Sequence, residues 1–384
     1  MKRSTQHILT THVGALPAPT GLTDSAQDYE DRLAREVVTI VRRQRDIGLD
    51  IVNDGELSKG HWLAYLDKRI GGFERRPSQG ARSALHSGKD REAFPGYYEE
   101  ASRLGTLFYS SGLVPTGMPL SPPRSVCTSP ITYVGAQHVR RDVANLRAAL
   151  ASARDIEAFL PVAAPASIEP YRFNEYYASD EAFVYALADA LRVEYETIAD
   201  AGFLLQVDDA WTAALWDRIG VQMGIEAYTK RCMLRVEALN HALARIPQDR
   251  IRYHLCWGSW HGPHVHDLPL HDLVNVALAV NAGAYLLEAA NARHEHEYHV
   301  WERVKLPEGK ILVPGVVSHA TNIVEHPELV SERIQRFARL LGKENVIAGT
   351  DCGLGGRLHP EIVWAKLQSL VEGARLATKA LQRH

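Results

Sequence analysis

Residues 180–209 read DEAFVYALADALRVEYETIADAGFLLQVDD. Apolar residues recur at helical spacing from Asp180 to Ala201, and Asp200-Ala201-Gly202 supplies a helix C-terminus. A short apolar run, Phe203–Val207, follows and ends on two carboxylates, Asp208 and Asp209. The unit repeats: Leu268–Ala282 is a helical pattern closed by Asn281-Ala282-Gly283, and Tyr285–Glu288 is the next apolar run. Further helical patterns cover Tyr29–Ile47, Ile225–Ala244 and Pro327–Leu341. Further strand candidates are Thr11–Leu16, Ile51–Asp54, Ile131–Val134, Phe159–Ala163, Arg252–Trp257, Ile311–Val316 and Val346–Gly349. Alternating strands and helices imply a parallel sheet, and about eight units imply an α/β chain folded as a closed (β/α)8 TIM barrel. The strand candidates number nine, so one is expected to be a hairpin arm or an extra segment. Pro, Gly, Ser and charge dominate from about residue 75 to 128, as in Gly112–Pro123; this is an expected loop-rich excursion inserted in a single domain spanning 1–384.

Composition bounds the function classes. The chain has 384 residues and a formal net charge of −3, with no basic run to suit a polyanion. Four cysteines are too few for a disulfide framework and suit a reducing compartment. Residues 1–20 hold no apolar signal core, and no stretch approaches the ~18 apolar residues of a membrane span. The expectation is a cytoplasmic protein that acts on small molecules, without nucleic acid or membrane partners; a homo-oligomer is compatible with it.

Polar residues gather where such a barrel builds its site, at the C-terminal ends of strands. Glu56, Asp208, Asp209, His254, Cys256, Glu288, Ser318, His319 and Cys352 all fall there. In a strand, residues i and i+2 share a face, so His254 and Cys256 converge on one point. An imidazole and a thiolate, joined by the thiolate of Cys352, suit zinc better than other common metals. A packed core pair, or a closed structural zinc site, is the competing reading. Asp209 can equally cap the following helix. Cys127 and Cys232, in an expected loop and helix, are expected spectators. Arg293–His299, rich in histidine, reads as a solvated, charge-paired helix start.

Thr11-His12-Val13-Gly14-Ala15-Leu16-Pro17, Asn53-Asp54-Gly55-Glu56, Gln206-Val207-Asp208-Asp209, His254-Leu255-Cys256 and Asp351-Cys352-Gly353 occur in this order along the chain. In this it resembles the cobalamin-independent methionine synthase family: the catalytic C-terminal barrel and the short stand-alone relatives, among which are epoxyalkane:coenzyme M transferase-like proteins. The resemblance implies Zn2+ held by His254, Cys256, Glu288 and Cys352, and alkyl transfer to a zinc-activated thiol. It implies that Glu56 and Asp208 hold the amino group of a homocysteine-like substrate. Three segments depart from the family pattern. Gly14-Ala15-Leu16-Pro17 replaces Gly-Ser-Phe-Pro, so Ala15 lacks the hydroxyl that helps bind the substrate carboxylate. Asp208-Asp209-Ala210-Trp211 replaces Asp-Glu-Pro-Ala. His319 in Ser318-His319-Ala320 is displaced by one position from the family's catalytic histidine, a proton donor to the leaving group. Trp62, Tyr65, Trp211, Trp257 and Trp260 follow strand ends and suit an aromatic wall for a substrate. The expected reaction is methyl transfer from a 5-methyltetrahydrofolate-like donor to a homocysteine-like thiol. The alternative is attack by coenzyme M or another small thiol on an electrophile such as an epoxide, with Arg293 or Arg357 receiving the thiol's anionic group. A third reading is a noncatalytic, zinc-stabilised binding protein.

Overall fold

Among the residues described by the structure, a computed structural model covering 1–23, 26–60, 64–77, 87–106, 124–153 and 155–382, the strands are β1 (Ile51–Asn53), β2 (Ile70–Arg76), β3 (Arg124–Tyr133), β4 (Glu157–Ala163), β5 (Arg172–Asn174), β6 (Leu204–Asp209), β7 (Ile251–Leu255), β8 (Ala284–Leu287), β9 (Ile311–Val317) and β10 (Gly349–Thr350). Seven of them form one parallel sheet in the order β1-β4-β6-β7-β8-β9-β10. The chain at residues 9–11 joins its two edges. On one side Thr11 N donates to Ala348 O (2.9 Å) and Ala348 N to Leu9 O (2.8 Å); on the other, Ile51 N donates to Thr10 O (3.1 Å). This stretch is the eighth stave, and the sheet closes into the expected (β/α)8 barrel.

Alternation along each stave separates two apolar layers. Leu9, Val13, Ile51, Phe159, Leu204, Leu286, Val313 and Ile347 pack together inside the barrel. Leu205, Val207, Tyr253, Leu255, Tyr285 and Leu312 pack outward in the layer shared with the helices. With Tyr253 and Leu255 outward, Arg252, His254 and Cys256 face the barrel axis. Arg252 fills the interior below His254. Its Nη1 donates to Thr11 Oγ1 (3.0 Å), its Nη2 to His12 O (2.9 Å), and its guanidinium lies 3.8 Å over the Phe159 ring.

The surplus strand candidate is Ile131–Val134. It belongs to β3, which pairs antiparallel with β2 and parallel with β5 in a separate three-stranded sheet. Arg69, buried between Asp142 and Glu194, ties this sheet to the barrel's helices, and Tyr133 Oη donates to Glu194 (2.9 Å). The helices Ala136–Ala149 and Pro360–Leu381 escape the periodicity reading. The second was legible: Val363, Leu367, Leu370, Ala374 and Ala377 form its buried stripe, and Pro360 stands at its first turn.

The excursion is not wholly loop. Helices Lys89–Ala93 and Pro95–Leu104 lie within it, while Gly112–Pro123 falls outside the described residues. Asp90 fastens it over the barrel mouth by accepting from Val265 N (3.1 Å), His266 N (3.1 Å) and His266 Nδ1 (2.7 Å) in the loop after β7. Asp217, in the turn after β6, accepts from Asp90 N (2.9 Å), and Trp260 Nε1 donates to Tyr98 Oη (3.1 Å).

Asp209 is a cap. Its carboxylate accepts from Trp211 N (3.2 Å), Thr212 N (3.0 Å), Thr212 Oγ1 (2.7 Å) and Tyr253 Oη (2.9 Å). Asp209→Ala strips these buried donors of their acceptor and is expected to cost about 1–3 kcal/mol. Urea unfolding checks this as a lower midpoint at unchanged metal content.

Candidate metal centre

β7 sets His254 and Cys256 on its inward face, and the turn after β10 brings Cys352 to them. One donor atom from each lies within 4.8 Å of the other two, all in buried side chains. The sulfurs of Cys256 and Cys352 are 3.8 Å apart. Two thiolates on a tetrahedral zinc at about 2.3 Å each would stand about 3.8 Å apart. His254 Nδ1 is 2.9 Å from Asp208 Oδ1, whereas its Nε2 is buried without a hydrogen-bond partner among the described residues. An imidazole fixed through one nitrogen by a carboxylate, with the other left bare, is a prepared metal ligand. The donor set therefore fits zinc.

β6 and β7 run parallel with Asp208 beside His254 in register, which is why these two side chains meet. Gln206 Nε2 donates to the same Asp208 oxygen (2.9 Å). Burial alone would lower the His254 pKa, but the hydrogen bond to Asp208, with the nearby Cys352 sulfur adding to it, raises it to about 10. The two thiols divide one hydrogen bond unequally: it pushes Cys256 well up and holds Cys352 well down. Gly258 N (3.2 Å) and Ser259 Oγ (3.0 Å) also lie against the Cys256 sulfur.

Glu288 stands beside this triad rather than inside it. Its Oε1 accepts from Trp257 N (2.9 Å) and its Oε2 from Asn291 Nδ2 (2.8 Å). It clusters instead with His319 and Asp351, again with donor atoms within 4.8 Å. Asp351 orders this corner by accepting from Ala289 N (2.7 Å), Ala290 N (2.8 Å) and Asn291 Nδ2 (3.2 Å). Sequence reasoning gave Asp351 no role, although it directly precedes Cys352. Burial raises the Glu288 pKa and, with Glu288's charge, lifts Asp351 to about 7. His319 is buried, its Nδ1 has no hydrogen-bond partner among the described residues, and burial lowers its pKa to about 3.

Glu56 sits across the mouth with a backbone φ of 57°, half-buried and packed against Gly14. A Cβ on Gly14 would come within 2.2 Å of Glu56 Oε1, so only glycine leaves room for this carboxylate. Lys59 Nζ lies 3.3 Å from its Oε2, and burial raises the Glu56 pKa to about 7, with the charge of Asp208 adding to the rise. Ala15 accepts from Leu354 N (3.1 Å) and Gly355 N (2.8 Å), which places it beside the Cys352 turn.

The expected aromatic wall divides. Trp257 is wholly buried, its Nε1 donating to Leu268 O (2.8 Å) and its ring 4.4 Å from His294; its backbone N–H, not its ring, serves the centre. Trp211 and Trp260 line the mouth beside Arg218, Tyr65 packs near Lys59, and Trp62 lies outside the described residues. His294 corrects the solvated reading of its stretch. It is buried, with Nδ1 2.8 Å from Glu297 and Nε2 3.1 Å from Asp267, while His299 is exposed beside Glu302. Cys127 lies in β3 rather than in a loop, and Cys232 in the helix Ile225–Leu243, 3.9 Å from Thr212 O. Arg357 donates to Ser259 O (2.5 Å) and Arg293 to Val265 O (3.1 Å). Among the described residues, no helix is long and apolar enough to cross a membrane.

Three comparisons agree with this architecture. The chain is 23% identical to a methionine synthase of Saccharolobus solfataricus over 97% of its own length and 96% of that protein's. It is 22% identical to a methionine synthase of Thermococcus kodakarensis, over 93% and 86%. A B12-independent methionine synthase from a Shewanella species, solved in complex with selenomethionine, superposes with a TM-score of 0.70 at 15% identity, covering 98% of this chain and all of that one; this likeness establishes the fold. Residues 18–159 and 164–376 match the family described as cobalamin-independent synthase, catalytic domain, and the chain belongs to that family.

Proposed function

We propose that this chain is a zinc-dependent transferase that moves a methyl group from a 5-methyltetrahydrofolate-like donor to the thiol of a homocysteine-like acceptor. Membership of the family, and its methionine synthase relatives, support methyl transfer. The observation that carries the metal is the bare, buried Nε2 of His254 facing the paired sulfurs of Cys256 and Cys352. Those three residues would hold the ion, and Glu288, whose charge acts on both Cys256 and Cys352, would complete the set. Zinc bound there supplies a Lewis acid that keeps a coordinating thiol deprotonated at neutral pH.

The remaining work falls to side chains. Asp208 keeps the Nδ1 proton on His254 and so leaves Nε2 the lone pair. Glu56 and the outer oxygen of Asp208 face the mouth as carboxylates for the acceptor's ammonium group. His319, neutral when the site is unliganded, presents Nδ1 as the atom that would take up the proton given up by the acceptor thiol and pass it to the departing donor nitrogen. The buried walls keep bulk water from competing with the thiol for the methyl group.

Zinc-loaded protein given L-homocysteine and 5-methyltetrahydrofolate is expected to form methionine, and to stop when a chelator removes the metal. Ala15, which offers no hydroxyl to a substrate carboxylate, favours a second reading: a small thiol such as 2-mercaptoethanesulfonate opening an epoxide. Thioether formation from that pair, without methionine formation from the first, would select it.

A further inference from the structure

The loops after β6 and β7 hold a charge that nothing in the preceding chemistry uses. Arg218 lies in the turn Trp216–Gly220, with its guanidinium 4.6 Å from the Trp211 ring and 4.9 Å from the Trp260 ring. Its Nε and Nη1 are buried without a hydrogen-bond partner among the described residues. The adjacent carboxylate, Asp217, is turned away to cap Asp90 N (2.9 Å). Buried donors are almost always satisfied, and a buried guanidinium is ordinarily paired with an anion. Indole faces offset part of the charge but leave the N–H groups, which lie in the ring plane, unanswered.

The surroundings make this a built subsite rather than a stray side chain. The Tyr171 ring packs 5.4 Å from Trp211, and Tyr98 Oη accepts from Trp260 Nε1 (3.1 Å). The Trp260 ring also closes on Gly258, where an added Cβ would meet it at 2.2 Å. Gly258 N in turn lies 3.2 Å from the Cys256 sulfur. The guanidinium is thus one indole away from the residues that contact the metal-binding thiols. Arg218 lies outside the segments that carry the family resemblance, and sequence reasoning had named only Arg293 and Arg357 for an anion.

We infer that Arg218 is a specificity residue that receives an oxyanion, a carboxylate or sulfonate, of the small molecule bound at the mouth. A planar fork of donors between two aromatic plates matches a planar or trigonal oxyanion and excludes a cation. The inference rests on the proposed transferase reading only in taking that molecule to be thiol or donor.

Binding to metal-loaded wild type, Arg218→Gln and Arg218→Met tests it, measured by calorimetry with four probes: L-homocysteine, 2-mercaptoethanesulfonate, cysteamine and 5-methyltetrahydrofolate. Loss of a charge-assisted pair is expected to weaken the anionic partner about 10- to 100-fold and to leave cysteamine, a thiol without an oxyanion, unchanged. A shift confined to the thiols assigns the subsite to the acceptor; a shift confined to the folate assigns it to the donor. Because Arg218 Nε and Nη1 make no hydrogen bond to an anion among the described residues, Arg218→Met is expected to keep or raise the melting temperature. The inference is overturned if every probe binds both variants within twofold of wild type, or if Arg218→Met lowers the melting temperature with all affinities intact. Probes that bind wild type but bind both variants equally, the folate included, would sink this inference alone. A wild-type protein that binds none of the four contradicts the transferase reading as well.

Discussion

Cys352→Ser is expected to lose zinc on gel filtration and to lose methyl transfer by more than about 100-fold, beyond the 10- to 100-fold cost of deleting an outer-shell partner. Serine keeps the volume but offers a hydroxyl that stays protonated at neutral pH, so the site retains one imidazole and one thiolate. Cys352 is the sulfur most ready to bind, because its neighbours already hold its pKa well down: the Cys256 hydrogen bond first, then Arg357 and His254. Metal analysis after dialysis and circular dichroism check the claim together. A folded variant that keeps a full equivalent of zinc would contradict it.

Asp208→Asn is the second large effect. An amide cannot hold the Nδ1 proton of His254 as a carboxylate does, and its NH2 group can donate to Nδ1 and move the proton to Nε2. Zinc affinity is expected to fall about 10- to 100-fold. Proton counting gives an independent readout. With a pKa raised to about 10, His254 is protonated at pH 7 in the metal-free protein, and Cys256 is a thiol because its pKa is pushed up. Zinc binding at pH 7 is therefore expected to release one proton from each. In Asp208→Asn the histidine loses its main charged partner and its pKa falls, so its proton is no longer released. Calorimetry in buffers of different ionisation enthalpy measures the difference. The sign for stability follows: with a folded pKa above the unfolded value of about 6.5, the His254 contribution to the metal-free protein is complete below that value and is lost as pH rises toward 10.

The barrel was legible because its staves are short apolar runs ending in carboxylates, histidine or cysteine, and because glycines close the preceding helices. The surplus run, Ile131–Val134, is misleading for a physical reason. A strand half buried against the barrel's helices carries the same local pattern as a stave, and only its partner, β2, distinguishes them. The juxtaposition of His254 and Cys256 was legible through the two-residue period of β7. Relations across the sheet were not. Asp208 meets His254 through the register of β6 on β7, and Asp351 reaches the end of β8 from the turn after β10, which no spacing along the chain encodes. Glu288 shows the same limit: its strand end is right, yet its oxygens are engaged by Trp257 and Asn291. Arg218 was invisible because its meaning lies in what it lacks.

The central claim is that the His254, Cys256 and Cys352 centre binds zinc and takes a substrate thiol as a further sulfur ligand. Zinc-edge X-ray absorption of the loaded protein, before and after addition of L-homocysteine, tests this most directly. The account predicts two sulfur and two lighter scatterers in the resting protein, changing to three sulfurs and one lighter scatterer when the thiol binds. An unchanged shell with saturating homocysteine and with 2-mercaptoethanesulfonate would contradict it.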